Sequence, residues 1–375
     1  MTIDISKVSW NSYSNFEGPV FWGSKPYVLP QDASFEEKTL SIISAAEGHY
    51  DSINMYDICI VTAGLIQWCE RNQYSVSDML GAVAEVKGVQ YILDTLQQAL
   101  KLSNATFKKN KSGKWRFFLR KGNLDVEVNT TSLQQECFLT HSGKKGEWSA
   151  ESKLHAKTWC VALANIFQDD EACSAQLEFT KKRMFAWYVT TNAKKILFGS
   201  DTVNNGIGAA VKALVVSYAV NMPAVADKQL VIAVNNSKSE KWSYAWCCEI
   251  ICQLISGSEL PIWASRYNVI RPKLEEYFNI KLPKTTKELL KKPWLADPNS
   301  GIFPKEEELH IPIEVEPEII LQPSQPVQPE TPPVIVQPSV PTKTPSKTLV
   351  KTNPALIIAG AVIAVITYLA DHFFK

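Results

Sequence analysis

Apolar residues recur at helical spacing through most of the first 303 positions. Leu40, Ile43 and Ala46 share one face of a predicted helix over Phe35–Glu47. Ser75 is a capping-type residue that opens a short helix over Ser75–Leu80, and Lys87–Leu100 follows as another. The same 3.6-residue rhythm predicts helices over Glu151–Phe167, Ala172–Phe198, Gly206–Val220, Ala224–Asn235 and Trp242–Ile255, with a short one over Arg271–Phe278. Between Leu102 and Trp148 the texture changes. Lys114–Val128 turns near Lys121-Gly-Asn, which predicts two strands joined there. The expected fold class is therefore α+β, mainly α, with a small β insert at about 102–150 in a domain over 1–303.

From Pro304 the pattern is lost. Twelve of the 21 prolines lie between Pro304 and Pro354, among Gln, Glu, Ser, Thr and Val. Such a composition cannot build a core, so 304–354 is expected to be a disordered, extended linker. Residues 355–371 then run almost uncharged, flanked by Lys351 and Lys375 and by Tyr368, Phe373 and Phe374 as interfacial residues. This segment is expected to be a transmembrane helix. Lys343, Lys347 and Lys351 precede it, which by the positive-inside rule leaves the body on the cytoplasmic face of a host membrane, or else the tail associates with a virion. The first residues, Met1–Lys7, have neither a basic n-region nor an apolar h-region, and no secretory signal is expected.

Composition narrows the function. The first 303 residues carry 34 basic and 30 acidic groups, a mildly basic body. Lys108, Lys109 and Lys111 form the densest basic group and read as a solvated turn, so no nucleic-acid partner is expected. The eight cysteines contain no CxxC pair and do not cluster with histidine at metal spacing, which predicts reduced, buried thiols and no metal or other cofactor. Asn204-Asn205-Gly206-Ile-Gly208 lacks a phosphate-binding pattern.

The candidate chemistry lies in Glu47–Trp68. Glu47 ends a helix and is followed by Gly48, His49 and Tyr50; Asp57 sits in a loop, and Thr62 comes five residues later. Glycoside hydrolysis needs a protonated carboxylic acid on one side of the scissile bond and a second carboxylate on the other. Glu47 is the candidate acid, with burial as the means of keeping it protonated. Asp57 is the candidate base, or a loop cap, and Thr62 would steer the attacking water. Gln67 and His49 are candidate substrate-binding residues. Tyr50, Tyr56 and Trp68 read either as sugar platforms or as core.

These residues resemble the lysozyme superfamily. Asp57 and Thr62-Ala-Gly-Leu-Ile are similar to a segment of its chitosanases. Glu47, Asp57 and Thr62 resemble the catalytic trio of phage lysozymes, and Gly64-Leu-Ile-Gln67 resembles a motif of lytic transglycosylases and goose-type lysozymes. Pro261–Pro272, which contains Arg266, Tyr267 and Asn268, is similar to the tails of phage lysozyme-like proteins. The resemblance implies a lysozyme-like fold over roughly 30–283. It also implies cleavage of the β-1,4 glycan of bacterial peptidoglycan in phage lysis or cell entry. On this reading Glu47, Asp57 and Thr62 are catalytic, and His49, Tyr50, Gln67, Arg266, Tyr267 and Asn268 bind substrate. Arg266 and Arg271 read equally well as carboxylate binders or as an ion pair pinning the last helices. In transglycosylases the Glu acts alone, which would make Asp57 structural. A polycationic glycan such as chitosan calls for an acidic body, which this is not. The alternative from another class is a lysozyme-like binding or structural protein without catalysis, anchored to a membrane or virion. The oligomeric state and the bond cleaved are left open.

Overall fold

The computed structural model describes residues 2–13, 16–56, 59–71, 73–140, 148–200, 206–257 and 261–282. The predicted linker over 304–354 and the predicted span over 355–371 lie outside these residues. Among the described residues, no helix is long and apolar enough to cross a membrane.

Eleven helices and two small antiparallel sheets make up the described chain, a mainly helical α+β architecture. The first sheet is a meander, with its five strands in sequence order: β1 (Ser9–Tyr13), β2 (Phe16–Phe21), β3 (Ile53–Asn54), β4 (Thr62–Ala63) and β5 (Trp68–Cys69). Helix α1 (Phe35–Glu47) enters the chain between β2 and β3, so the residue that ends α1 stands beside the start of the β3–β5 meander. Its start is fixed by a capping box: Ser34 Oγ accepts from the Glu37 N–H, and the Glu37 carboxylate accepts from the Ser34 N–H.

Helices α2 (Ser75–Lys87) and α3 (Val89–Ser103) lead into the insert. There β6 (Ala105–Lys109), β7 (Trp115–Lys121) and β8 (Leu124–Glu127) form the second sheet, followed by α4 (Thr131–Phe138). The predicted hairpin is present as β7–β8, with Gly122 at φ 60° in its two-residue turn. Strand β6 adds a third member, and its Lys108 and Lys109 side chains pair with Asp125 and Glu85. Helices α5 (Ala150–Ile166) and α6 (Asp170–Tyr188) complete this half.

The remainder is helical: α7 (Thr191–Leu197), α8 (Gly206–Asn221), α9 (Pro223–Asn236), α10 (Tyr244–Gly257) and α11 (Pro261–Phe278). The single helix predicted over Ala172–Phe198 is two, because Thr190 breaks it: its Oγ1 caps α7 at the Ala193 N–H and also bonds Asp227. Conversely, α11 runs through Pro272 rather than starting near it.

Two apolar cores result. One gathers Leu40, Ile43, Ile53, Leu65, Trp68 and Trp159. The other is built around α8, which is buried from Gly208 to Ala219, with Ile42, Tyr218, Cys247 and Tyr267 among its members. Helix α1 supplies residues to both, so its C-terminus lies at the seam between them. None of the eight cysteines is in a disulfide, and six are buried.

Candidate active site

Glu47 occupies the last turn of α1, and its side chain is only 8% exposed. Two donors from distant helices converge on one carboxylate oxygen. Asn221 Nδ2, at the end of α8, donates to Oε1, and Arg266 Nη1, on α11, donates to the same atom at 2.5 Å. Among the described residues Oε2 has no hydrogen-bond partner. The Arg266 side chain is 1% exposed, and its Nε donates to Ser217 Oγ at 3.0 Å. Its Nη2 is buried without a partner among the described residues. Arg266 thus serves an ion pair that pins α11 to α1, one of the two roles its sequence context offers. Ser217 and Asn221 stand four residues apart on α8, one helical turn, so both face α11 and the end of α1.

Gly48 carries the chain from α1 into the meander. A Cβ there would lie 2.9 Å from the Ser52 side chain and 3.0 Å from Gln67 Nε2, so only a glycine lets the loop pass this close. Gln67 is thereby held against the residue that follows Glu47. Its Oε1 accepts from Thr62 Oγ1 at 2.7 Å, and its Nε2 donates to the Gly64 carbonyl at 3.1 Å. The Thr62 hydroxyl hydrogen is spent on Gln67, which leaves its oxygen free to accept from a water. Gly64 at φ 82° makes the turn between β4 and β5, and Gln67 itself sits at φ 53°.

The loop is clamped from below. Asp51 is fully buried and accepts from the Ser24 N–H and Oγ, the Lys25 N–H and Gln168 Nε2. Gln176 on α6 is also fully buried; its Oε1 accepts from the Leu65 N–H and its Nε2 donates to the Tyr50 carbonyl, which ties the two ends of the motif together. Trp68 Nε1 donates to Thr180 one turn further along. Tyr188 ends the same helix. Burial pushes its phenol up, and the nearby Cys69, Glu47 and Cys59 add to the shift.

The other predicted residues fall as follows. Asp57 lies outside the described residues. Tyr50, Tyr56 and Trp68 are core residues, and Tyr267 is buried in the second core. Asn268 is exposed on α11. The His49 N–H donates to Ser52 Oγ, and its Nδ1 is buried with no partner among the described residues. Arg271 pairs with Glu275, and the Trp242 and Trp246 rings pack 5.2 Å apart. Sequence reasoning missed Ser217, Asn221, Gln176 and Asp51. Ser217 and Asn221, at i, i+4 on the largely apolar α8, are the one signal that could have found the first two. Among the described residues, no group of three His, Cys, Asp or Glu side chains is placed to hold a metal ion.

Compared with known proteins, the chain matches no family model, no curated protein and no solved structure.

Proposed function

We propose that the chain is a glycoside hydrolase that cleaves the β-1,4 glycan of bacterial peptidoglycan, in phage lysis or cell entry. The observation that carries this reading is Glu47 itself: a nearly buried carboxylate at a helix end, held through one oxygen, beside the Gln67–Thr62 pair. Asn221 and Arg266 fix Oε1, so Oε2 is the atom that presents a proton to the leaving glycosidic oxygen. As that bond breaks, positive charge grows on the sugar ring and Glu47 becomes a carboxylate. Arg266 stabilises that anionic product state without moving. Thr62, oriented by Gln67, accepts a hydrogen bond from the attacking water, and Asp57 takes its proton in an inverting reaction. Residues 304–354 act as the spacer and 355–371 as the membrane or virion anchor.

The same ion pair supports a second reading, a lysozyme-like binding or structural protein without catalysis. Glu47 Oε1 is committed to Arg266 and Asn221, which ties α11 and α8 to the end of α1 whether or not a glycan is bound. Zymography of the full chain on purified peptidoglycan separates the two. Clearing by wild type and none by Glu47→Gln supports the hydrolase; equal clearing, or none by either, overturns it.

A further inference from the structure

Glu70 directly follows β5 and is 1% exposed. Its main chain and side chain tie three elements together. The Glu70 N–H donates to the Val61 carbonyl at 2.9 Å, which closes the β4–β5 hairpin one residue from Thr62. The Glu70 carbonyl accepts from the Tyr74 N–H at 2.9 Å and from Gln134 Nε2, on α4, at 3.3 Å. Its carboxyl accepts from the Ser77 N–H at 2.8 Å and from Ser77 Oγ at 2.5 Å, in the first turn of α2. Tyr74, the N-cap residue of that helix, makes no side-chain cap, so Glu70 does the capping from outside it.

No cation answers this carboxyl. Ser77 is a neutral partner, and Glu70 makes no ion pair among the described residues. Arg116 on β7 and Asp78 on α2 face it, but they are bound to each other at 2.6 Å, and Arg183 on α6 adds a second cation to Asp78 at 2.8 Å. The titratable group that faces it from α4 is the Cys137 thiol, which burial keeps protonated. An ionised carboxylate without a cation is costly in such a place, and a neutral carboxyl is not. Burial accordingly lifts Glu70 to about 7, within reach of ordinary changes in pH. The joint is also short of hydrogen bonds. Ser75 Oγ, in the same turn of α2, and Gln134 Oε1 are both buried without a partner among the described residues, so water entering here would satisfy them as well.

We propose that Glu70 is a pH-operated latch: neutral, it clasps the first turn of α2 and helix α4 to the Thr62 hairpin, and ionised, it draws in water and lets that joint open. Opening would loosen Thr62 and Gln67 together, since one hairpin carries both, and would uncover Cys137. The latch goes beyond the glycan reading and stands whether or not Glu47 is catalytic.

The test is hydrogen exchange of the full chain at pH 5.5 and 8.5, resolved by peptide and corrected for the intrinsic pH dependence of exchange. In wild type, protection over Val76–Leu80 and Val61–Glu70 should fall at least tenfold at the higher pH, while Val211–Ser217 of α8 stays level. Glu70→Gln keeps an acceptor for the Ser77 N–H but cannot ionise, and all three segments should stay level in it. Labelling with N-ethylmaleimide gives a second readout: relative to Cys160, Cys137 should react at least tenfold faster at pH 8.5 than at 5.5 in wild type only. An unchanged wild type, an equal fall in α8, or the same fall in Glu70→Gln overturns the latch. If Glu70→Gln does not fold, a carbon-13 titration of the Glu70 carboxyl in wild type decides. A midpoint near 7 that coincides with the loss of protection supports the latch, and one below about 5 overturns it.

Discussion

Replacing Arg266 by Leu tests the part of the site on which the mechanism leans most. The Arg266 and Glu47 side chains are 1% and 8% exposed, so water solvates the carboxylate poorly once its partner is gone. Asn221 would be the only described donor remaining on Glu47. Breaking a buried ion pair from one side costs about 3–5 kcal/mol. Removing both partners with Glu47→Leu/Arg266→Leu leaves no buried charge, though Ser217 and Asn221 lose partners at about 1–3 kcal/mol each. The double variant should therefore fall short of the sum of the singles by about 2 kcal/mol or more. Urea unfolding followed by circular dichroism measures all four corners of the cycle. Raising salt should change the coupling little, because a buried pair is poorly screened. A loss below about 1 kcal/mol for Arg266→Leu, or additive singles, would refute a buried, mutually dependent pair.

Three further outcomes are expected. Glu70 is fully buried, and that burial pushes its carboxyl from 4.5 up to about 7 although Ser77 bonds pull it down. Its contribution to stability is therefore complete below about 4.5 and lost as pH rises through about 7. The stability of wild type relative to Glu70→Gln should fall by up to about 3 kcal/mol across that window in urea titrations, and a flat difference would count against the burial. Gly48→Ala should lower stability by about 1–3 kcal/mol, read from the urea midpoint, because its Cβ meets the Ser52 side chain at 2.9 Å; a neutral result means the loop yields freely. Gln176→Met should cost about 2 kcal/mol or more by orphaning the Leu65 N–H and the Tyr50 carbonyl, and should slow wall clearing; unchanged hydrogen exchange at Leu65 would contradict the clamp.

Local chemistry made part of this legible. Helix α1 was readable to its last residue from its apolar stripe, with Gly48 following Glu47, and the structure adds the Ser34 cap at its start. The β7–β8 hairpin announced itself through its turn residues and the aromatic residues of β7. The first sheet did not. Strands β3, β4 and β5 have two residues each, and β2 carries Gly18 and Pro19, so no alternation develops. In the site, Glu47 and the Thr62–Gln67 segment could be found because they lie close together in sequence. Arg266 could be named but not paired, since it reaches Glu47 from 219 residues away, and Asn221 from 174. Contacts of that range leave no local periodicity. Trp68 and Tyr50 show the converse: their spacing suits a sugar platform, but Thr180 and Gln176 bind them into the core.

The central claim is that Glu47 delivers the proton that breaks a glycan bond, and the rate of reducing-end release from purified peptidoglycan tests it most directly. Glu47→Gln keeps a carbonyl oxygen for Asn221 and Arg266 but has no proton to give at the second position. The account predicts a rate lower by about 10²–10⁴-fold, the usual contribution of a positioned general acid, with an unchanged circular dichroism spectrum. Release by Glu47→Gln within a factor of two of wild type would contradict it.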